Sequence, residues 1–203
     1  MEKDKRLEFI GLAGVNGSGK DTIGEMLAKY HGYLFISVTD LLRNEAKRRA
    51  VAPDREMLRT ISSQWRKEWG LGALVDKAIA EYEIKKEGQN YQGVVMASIR
   101  NPGEVDRIHE AGGIVIWLDA NPRVRYDRIQ NSATMRNRAI EDMMTFEQFL
   151  ADEDIEMNPP IGSDETVLNM SEVKKKCDAL IINDSNDLEL FRKLVESSIQ
   201  LNR

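Results

Sequence analysis

The sequence predicts one α/β domain in which five parallel strands form the central layer and helices cover both faces. Short apolar runs, typical of buried strands, alternate along the chain with segments whose apolar residues recur every three or four positions, as in amphipathic helices. This alternation implies right-handed crossovers, which place helices on both faces of a parallel sheet. The length of 203 residues fits one domain on the usual size of ~100–200 residues.

In the first half of the chain, strand and helix patterns follow one another closely. The run 7–13 is apolar and ends in a glycine cluster, which predicts a buried strand that enters a tight turn. The next helix begins at Asp21 and ends near Gly32, and the apolar run 33–37 predicts the second strand. Further helical patterns cover roughly 39–50, 54–69 and 71–87.

In the second half of the chain the alternation continues, but two stretches show no clear pattern. Apolar runs predict strands at 91–99, 113–118 and 179–182. Helical patterns lie at 102–111, which begins with a proline, and at 186–201. The least structured stretches are predicted at 131–140 and 157–168.

The composition excludes several classes of protein. With 41% hydrophobic and 31% charged residues, the chain has a globular balance rather than that of a disordered chain. A net charge of -5 argues against a general binder of nucleic acid or anionic membranes. The single cysteine, Cys177, excludes an intramolecular disulfide framework and fits a reducing compartment. Because no apolar run approaches the ~18–20 residues of a membrane span and no signal peptide pattern is present, a cytoplasmic protein is expected.

A glycine-rich loop lies between the first predicted strand and the first predicted helix. The segment 14–20 fits G-x-x-x-x-G-K in the context that this motif requires. Its backbone N–H groups would surround phosphate oxygens, and Lys20, expected to be an exposed ligand group, would contact the β- and γ-phosphates. The alternative is a glycine-rich turn without a ligand. The predicted ATP-binding residues are Gly14, Asn16, Gly17, Ser18, Gly19, Lys20, Asp21 and Thr22.

The residues after Lys20 depart from the simplest form of this motif. Asp21 stands where that form has Ser or Thr, and the hydroxyl comes one position later, at Thr22. Small-molecule kinases of the adenylate kinase kind likewise carry Gly-Lys-x-Thr. Thr22 is therefore the candidate contact to the phosphates or to Mg²⁺. Asp21 either belongs to the nucleotide site or is a charge favoured at a helix N-terminus.

Arginines recur where predicted strands end. Asp40 and Arg43 are three apart at the start of the helix after the second strand, so they would share one face at the ligand edge of the sheet. Arg100 follows the third strand. We predict that Asp40, Arg43 and Arg100 bind the substrate that would accept a phosphoryl group. The alternatives are an N-cap role for Asp40 and a solvated helix charge for Arg43.

A basic segment is followed by an acidic one. The stretch 123–138 contains five arginines and one acid, whereas 139–156 contains seven acids and no basic residue. Phosphoryl transfer would explain the arginines, because the migrating group carries negative charge that cations stabilise. Alternatively, the arginines form salt bridges with the acidic segment; both interpretations hold if they exchange partners on ligand binding. The predicted catalytic cations are Lys20, Arg43, Arg100, Arg128, Arg136 and Arg138.

These stretches resemble the P-loop nucleoside monophosphate kinases, in particular the adenylate-kinase-like and dephospho-CoA-kinase-like nucleotide kinases of archaea. The resemblance implies a three-layer P-loop NTPase fold in a single domain, 1–203. It is carried by the phosphate loop and by 40–49, 99–105, 125–128, 136–138, 145–150 and 178–183. The implied parts are a core of 7–37, 89–130 and 170–203, a helical acceptor-binding insert at 38–88, and a lid with its following helix at 131–157.

The resemblance also implies an activity. It predicts an ATP-dependent phosphotransferase that uses Mg²⁺ and acts on a small phosphorylated acceptor, a nucleoside or deoxynucleoside monophosphate. Because the acceptor edge offers several arginines and one obvious carboxylate, Asp40, a phosphate acceptor is favoured over a hydroxyl. The alternatives are a dephospho-CoA kinase, whose acceptor is a hydroxyl, and a nucleotide-binding regulatory protein with weak turnover. No nucleic-acid or membrane partner is expected, and the sequence does not decide the oligomeric state.

One departure from the family pattern concerns the metal. Such proteins usually carry an Asp near the end of the third strand, where this sequence has Met96, Ala97 and Ser98. Either binding of Mg²⁺ then depends on Thr22, on water or on another carboxylate, or the activity is low.

Overall fold

Five parallel strands form the central sheet of the domain. The structure, a computed structural model, describes residues 7–136 and 144–201, without the side chains of 132–136 and 200–201. The strand order is β2-β3-β1-β4-β5, and every pairing is parallel, as predicted. The strands are β1 (Phe9–Gly14), β2 (Tyr33–Ser37), β3 (Gly93–Ile99), β4 (Ile114–Asp119) and β5 (Ala179–Ile182).

The helices alternate with the strands as the sequence predicts, with additions after β4. They are α1 (Lys20–His31), α2 (Val38–Arg48), α3 (Arg55–Trp69), α4 (Ala73–Lys86), α5 (Pro102–Glu110), α6 (Pro122–Arg136), α7 (Phe146–Met157), α8 (Met170–Lys176) and α9 (Leu188–Leu201). The periodicity missed α6 and α8. The resemblance implied the start of α7.

Helix α6 corrects the prediction that 131–140 lacks structure, because it continues through Arg136. Arginines dominate its sequence, and its few apolar residues give a weak periodic pattern. Its start is nevertheless well specified. The side chain of Asn121 accepts a hydrogen bond from the backbone N–H of Arg123 at 2.9 Å, and Pro122 occupies the first helical position.

Apolar side chains form one core on each face of the sheet, which gives the three layers. On one face, α2 to α5 and α8 pack on the strands through side chains such as Leu42, Ile61 and Ile108. On the other face, α1 and α9 pack through Ile23 and Phe191. The helices α2 to α4, which connect β2 to β3, therefore share a core with the sheet.

The parallel topology also positions the candidate site. The carboxyl ends of all five strands lie at one edge of the sheet, where the loops that follow them converge. In the described ranges, no helix is both long enough and apolar enough to cross a membrane.

Candidate active site

The loop between β1 and α1 has a backbone that glycine adopts most readily. Gly14 has φ +132°, and a Cβ there would lie 2.0 Å from the backbone oxygen of Leu118 on β4. Gly17 has φ +78°, and a Cβ there would lie 2.7 Å from the backbone oxygen of Arg125 on α6. Both positions therefore require glycine, because a side chain would be strained and would clash with backbone atoms.

Lys20 is buried at the start of α1, with 7% of the residue exposed. Its Nζ donates hydrogen bonds to the carbonyl oxygens of Gly14, at 2.9 Å, and Val15, at 2.7 Å. Burial, together with the nearby charge of Arg100, lowers the pKa of Lys20 from 10.5 to about 7. The expectation of an exposed lysine is wrong, because the ammonium folds back across the loop and pairs with the loop's own carbonyls.

Two buried polar atoms near the loop have no hydrogen-bond partner within the described part of the chain: Ser18 Oγ and Arg128 Nη1. Buried polar groups are nearly always hydrogen-bonded, so each calls for an explanation. Arg128 also donates through Nη2 to the carbonyl oxygen of Ser185 at 2.6 Å, which places it beside the loop after β5. Burial lowers the pKa of Arg128. Arg128 lines the same cavity as the loop, so its Nη1, with the glycine-rich backbone, fits a ligand rich in hydrogen-bond acceptors, as a nucleotide is. Ser18 is fully buried and does not line the cavity.

Asp21 and Thr22 lie in the first turn of α1, half-buried, and line the same cavity as the loop. Asp21 therefore keeps both of its interpretations, as a site residue and as a charge favoured by the helix dipole. Over the described ranges, no group of three or more His, Cys, Asp or Glu side chains could hold a metal ion. Magnesium is commonly held by one or two protein ligands together with substrate phosphates and water. The hydroxyl of Thr22 fits that arrangement.

A cavity of about 470 Å³ connects the phosphate loop with the ends of β2 and β3. Four predicted cations line it: Lys20, Arg43, Arg100 and Arg128. Asp40 lines it as well, and its carboxylate accepts a hydrogen bond from Arg43 Nη1 at 2.8 Å. These two side chains share one face of α2, as their spacing indicated. The N-cap of α2 is Ser37, so Asp40 does not hold that position.

A buried ion pair holds Arg100 in place. The carboxylate of Glu104 accepts hydrogen bonds from the backbone N–H of Arg100 at 2.8 Å and from Arg66 Nη2 at 2.7 Å. Glu104 is fully buried, and Arg66 is 3% exposed. This network stiffens the turn after β3, where the Arg100 side chain enters the cavity. The sequence offered no signal for the pair beyond two isolated charges in separate helices.

Ser98 lies near the end of β3, where the family resemblance implied an Asp, and its backbone is strained. Its φ is +71°, in the left-handed region that non-glycine residues rarely adopt. In the register between β1 and β3, Leu12 pairs with Ala97 and Ala13 pairs with Ile99, so Ser98 is the bulged residue. It lines the cavity. Strained backbone of this kind costs about 1–3 kcal/mol and is concentrated at functional sites.

Besides Arg66, sequence reasoning missed five charged residues that line the cavity: Arg55, Arg59, Asp152, Glu153 and Glu156. The two arginines lie four apart on α3, and the acids share a face of α7. Arg55 Nη1 donates to Asp152 at 3.0 Å, and Arg59 Nη2 donates to Glu156 at 2.8 Å. The spacing of these residues could have indicated that they share helix faces. The contact between the two helices could not be predicted, because the paired residues are 97 positions apart in sequence.

The arginines of 123–138 separate into different roles. Arg125 is 2% exposed and donates to the backbone oxygens of Asn16, at 3.2 Å, and Ala120, at 2.7 Å. It also forms an ion pair with Glu153, so for this arginine the salt-bridge alternative is correct.

Two predicted cations of this segment are not placed. Arg136 ends α6, but its side chain is not described, and Arg138 lies outside the described residues. Part of the predicted lid, from 137 to 143, lies outside them as well.

Comparisons with known proteins agree with this architecture. Residues 10–147 match the AAA domain family AAA_18. A UPF0200 protein of Pyrobaculum aerophilum is 29% identical over 185 residues, which are 90% of this chain and 91% of the relative. A UPF0200 protein of Pyrococcus abyssi is 28% identical over 196 residues, 95% of each chain.

Solved kinase structures share the fold. The shikimate kinase from Acinetobacter baumannii in complex with shikimate matches with a TM-score of 0.58 and 14% identity, covering 98% of this chain and 96% of that one. A putative kinase from Chloroflexus aurantiacus matches with a TM-score of 0.57 and 18% identity, covering 99% and 100%. The sheet, its helices and the loop after β1 therefore form a P-loop kinase fold, as predicted.

Proposed function

This chain belongs to the AAA domain family, and we propose that it is an ATP-dependent kinase of a small phosphorylated acceptor, a nucleoside or deoxynucleoside monophosphate. One observation carries the proposal: a single cavity is lined both by the phosphate loop, which would bind the donor, and by Arg43 and Arg100, which would bind the acceptor. Phosphoryl transfer depends mainly on holding donor and acceptor together and on stabilising the charge that moves between them. A cavity that combines the phosphate loop with further cations suits that requirement.

On the donor side, the loop would bind the phosphates of ATP. Lys20 would exchange the carbonyl oxygens of Gly14 and Val15 for phosphate oxygens, which are stronger acceptors because they are charged. Arg128 Nη1 would gain a partner there. Thr22 would hold Mg²⁺, which, when bound, neutralises part of the phosphate charge.

On the acceptor side, Arg43 and Arg100 would bind an anionic group. A phosphate monoester has a second pKa of ~6 and is largely ionised at neutral pH, so it needs cations but no general base. A hydroxyl acceptor needs a carboxylate within hydrogen-bond reach. Asp40 lines the cavity, and that observation favours, as a second candidate, a kinase of the dephospho-CoA kinase type.

The test is a coupled ADP-release assay with Mg²⁺ across nucleoside monophosphates and dephospho-CoA. The proposal predicts turnover with a monophosphate and loss of turnover in Lys20→Ala. Lys29→Ala, an exposed lysine on the same helix, serves as the matched control. Turnover with dephospho-CoA alone would select the second candidate. ATP binding without turnover on any acceptor would instead support the regulatory alternative.

A further inference from the structure

A carboxylate of the chain itself accepts hydrogen bonds from two arginines that line the cavity. Glu156 on α7 accepts one hydrogen bond from Arg59 Nη2, at 2.8 Å, and another from Arg100 Nη1, at 2.6 Å. Its side chain is 18% exposed. The three residues come from α7, from α3 and from the turn after β3, so the contact joins three separate segments of the cavity wall.

The same helix makes a second contact of this kind. Asp152, one turn before Glu156, accepts a hydrogen bond from Arg55 at 3.0 Å. Burial alone would raise the pKa of Glu156, but the charges of Arg100, Arg59 and Arg55 outweigh it and lower that pKa. Glu156 is therefore an anion at neutral pH.

We infer that Glu156 is an internal competitor for the acceptor site, which makes the affinity of monoanionic carboxylates weaker than millimolar while phosphate groups still bind. The inference rests on the proposed function, which places the anionic group of the acceptor at Arg43 and Arg100, and it adds Arg59 to that site. A tethered carboxylate competes with free ligands as if present at ~mM concentration or more. A free carboxylate offers these arginines the same two oxygens and the same single charge, so it has no advantage over Glu156.

A phosphate group can displace this competitor. It offers a third oxygen and up to one more negative charge, and charge-assisted hydrogen bonds to arginine strengthen with both. Arg43 lines the same cavity and would supply a further donor. Competition by Glu156 lowers the binding affinity of every anion by the same factor. The ratio of the affinities for phosphate and for carboxylates therefore stays the same. Because carboxylates bind arginines more weakly than phosphate does, the competition leaves them without measurable binding at millimolar concentration.

The inference is tested by anion binding rather than by turnover. The full chain is saturated with the ATP analogue AMP-PNP and Mg²⁺, which fill the phosphate loop, and inorganic phosphate or acetate is then titrated by calorimetry. Binding of AMP-PNP tests the nucleotide site separately, and the ADP-release assay tests the proposed function. For the wild-type protein we expect phosphate to bind in the millimolar range and acetate not to bind.

In Glu156→Gln, both anions should bind about tenfold more tightly or better, the scale of losing one charged hydrogen-bonded partner, and acetate should become measurable. The matched control is Glu147→Gln, which removes an exposed acid from the same helix and should change neither affinity. Glu156→Ala repeats the test without the residual amide, and thermal unfolding verifies that each variant is folded. Unchanged affinities would refute the competition. Weaker phosphate binding in both Glu156 variants would show that Glu156 positions the arginines instead.

Discussion

The buried ammonium of Lys20 should make the stability of the fold depend on pH. Its pKa is about 7 in the folded chain, against an ordinary value of 10.5. Between these values the unfolded state binds more protons than the folded state, so the free energy of unfolding rises with pH. Integrating the difference in bound protons from pH 7 to pH 9 gives about 2 kcal/mol for this residue, at 1.36 kcal/mol per pKa unit.

The perturbation that isolates this contribution is Lys20→Met, which keeps the length of the side chain and removes its titration. Other groups that titrate in the same range are common to both proteins, and the hydrogen bonds that the variant loses shift its stability by a constant amount. Urea unfolding at pH 7, 8 and 9 should therefore show wild type gaining about 2 kcal/mol relative to the variant. Lys29→Met, at an exposed position of α1, should run parallel to wild type. Parallel lines for Lys20→Met as well would refute the depressed pKa.

Three further predictions concern the residues that would bind the acceptor and the buried ion pair beside Arg100. Asp40→Asn should keep kcat within roughly tenfold for a phosphate acceptor, because the amide oxygen can still accept from Arg43; a collapse of kcat at unchanged KM would indicate general-base catalysis and a hydroxyl acceptor. Arg43→Ala and Arg100→Ala should each lower kcat/KM by about 10²-fold or more in the ADP-release assay, and a loss under threefold in either would contradict its assignment. Glu104→Gln should destabilise the fold by about 3–5 kcal/mol in urea, because it leaves a buried arginine without its counter-ion; Asp106→Asn, on the same helix but exposed, should change stability by far less.

Most of the fold could be predicted from local patterns in the sequence. Buried parallel strands are continuous apolar runs and amphipathic helices have a period of 3.6 residues, and both patterns are visible without knowing what each element packs against. The loop from Gly14 to Lys20 could also be predicted, because the geometry of phosphate binding demands glycines at fixed spacing from a lysine. The pairing of Asp40 with Arg43 follows from helical spacing alone. All three are short-range features of one chain segment.

Only the tertiary structure decided how the charges are used. The sequence shows arginines and acids in blocks but not which arginine meets which acid, since Arg125 pairs with Glu153 while Arg128 lines the cavity. Residues far apart in sequence meet in each case, as Arg59 and Glu156 do. The burial of Lys20 is likewise a property of the folded loop. A side chain's charge is encoded locally, whereas its burial and its partner depend on elements brought together by folding, and these determine whether an arginine supports the fold or binds a ligand.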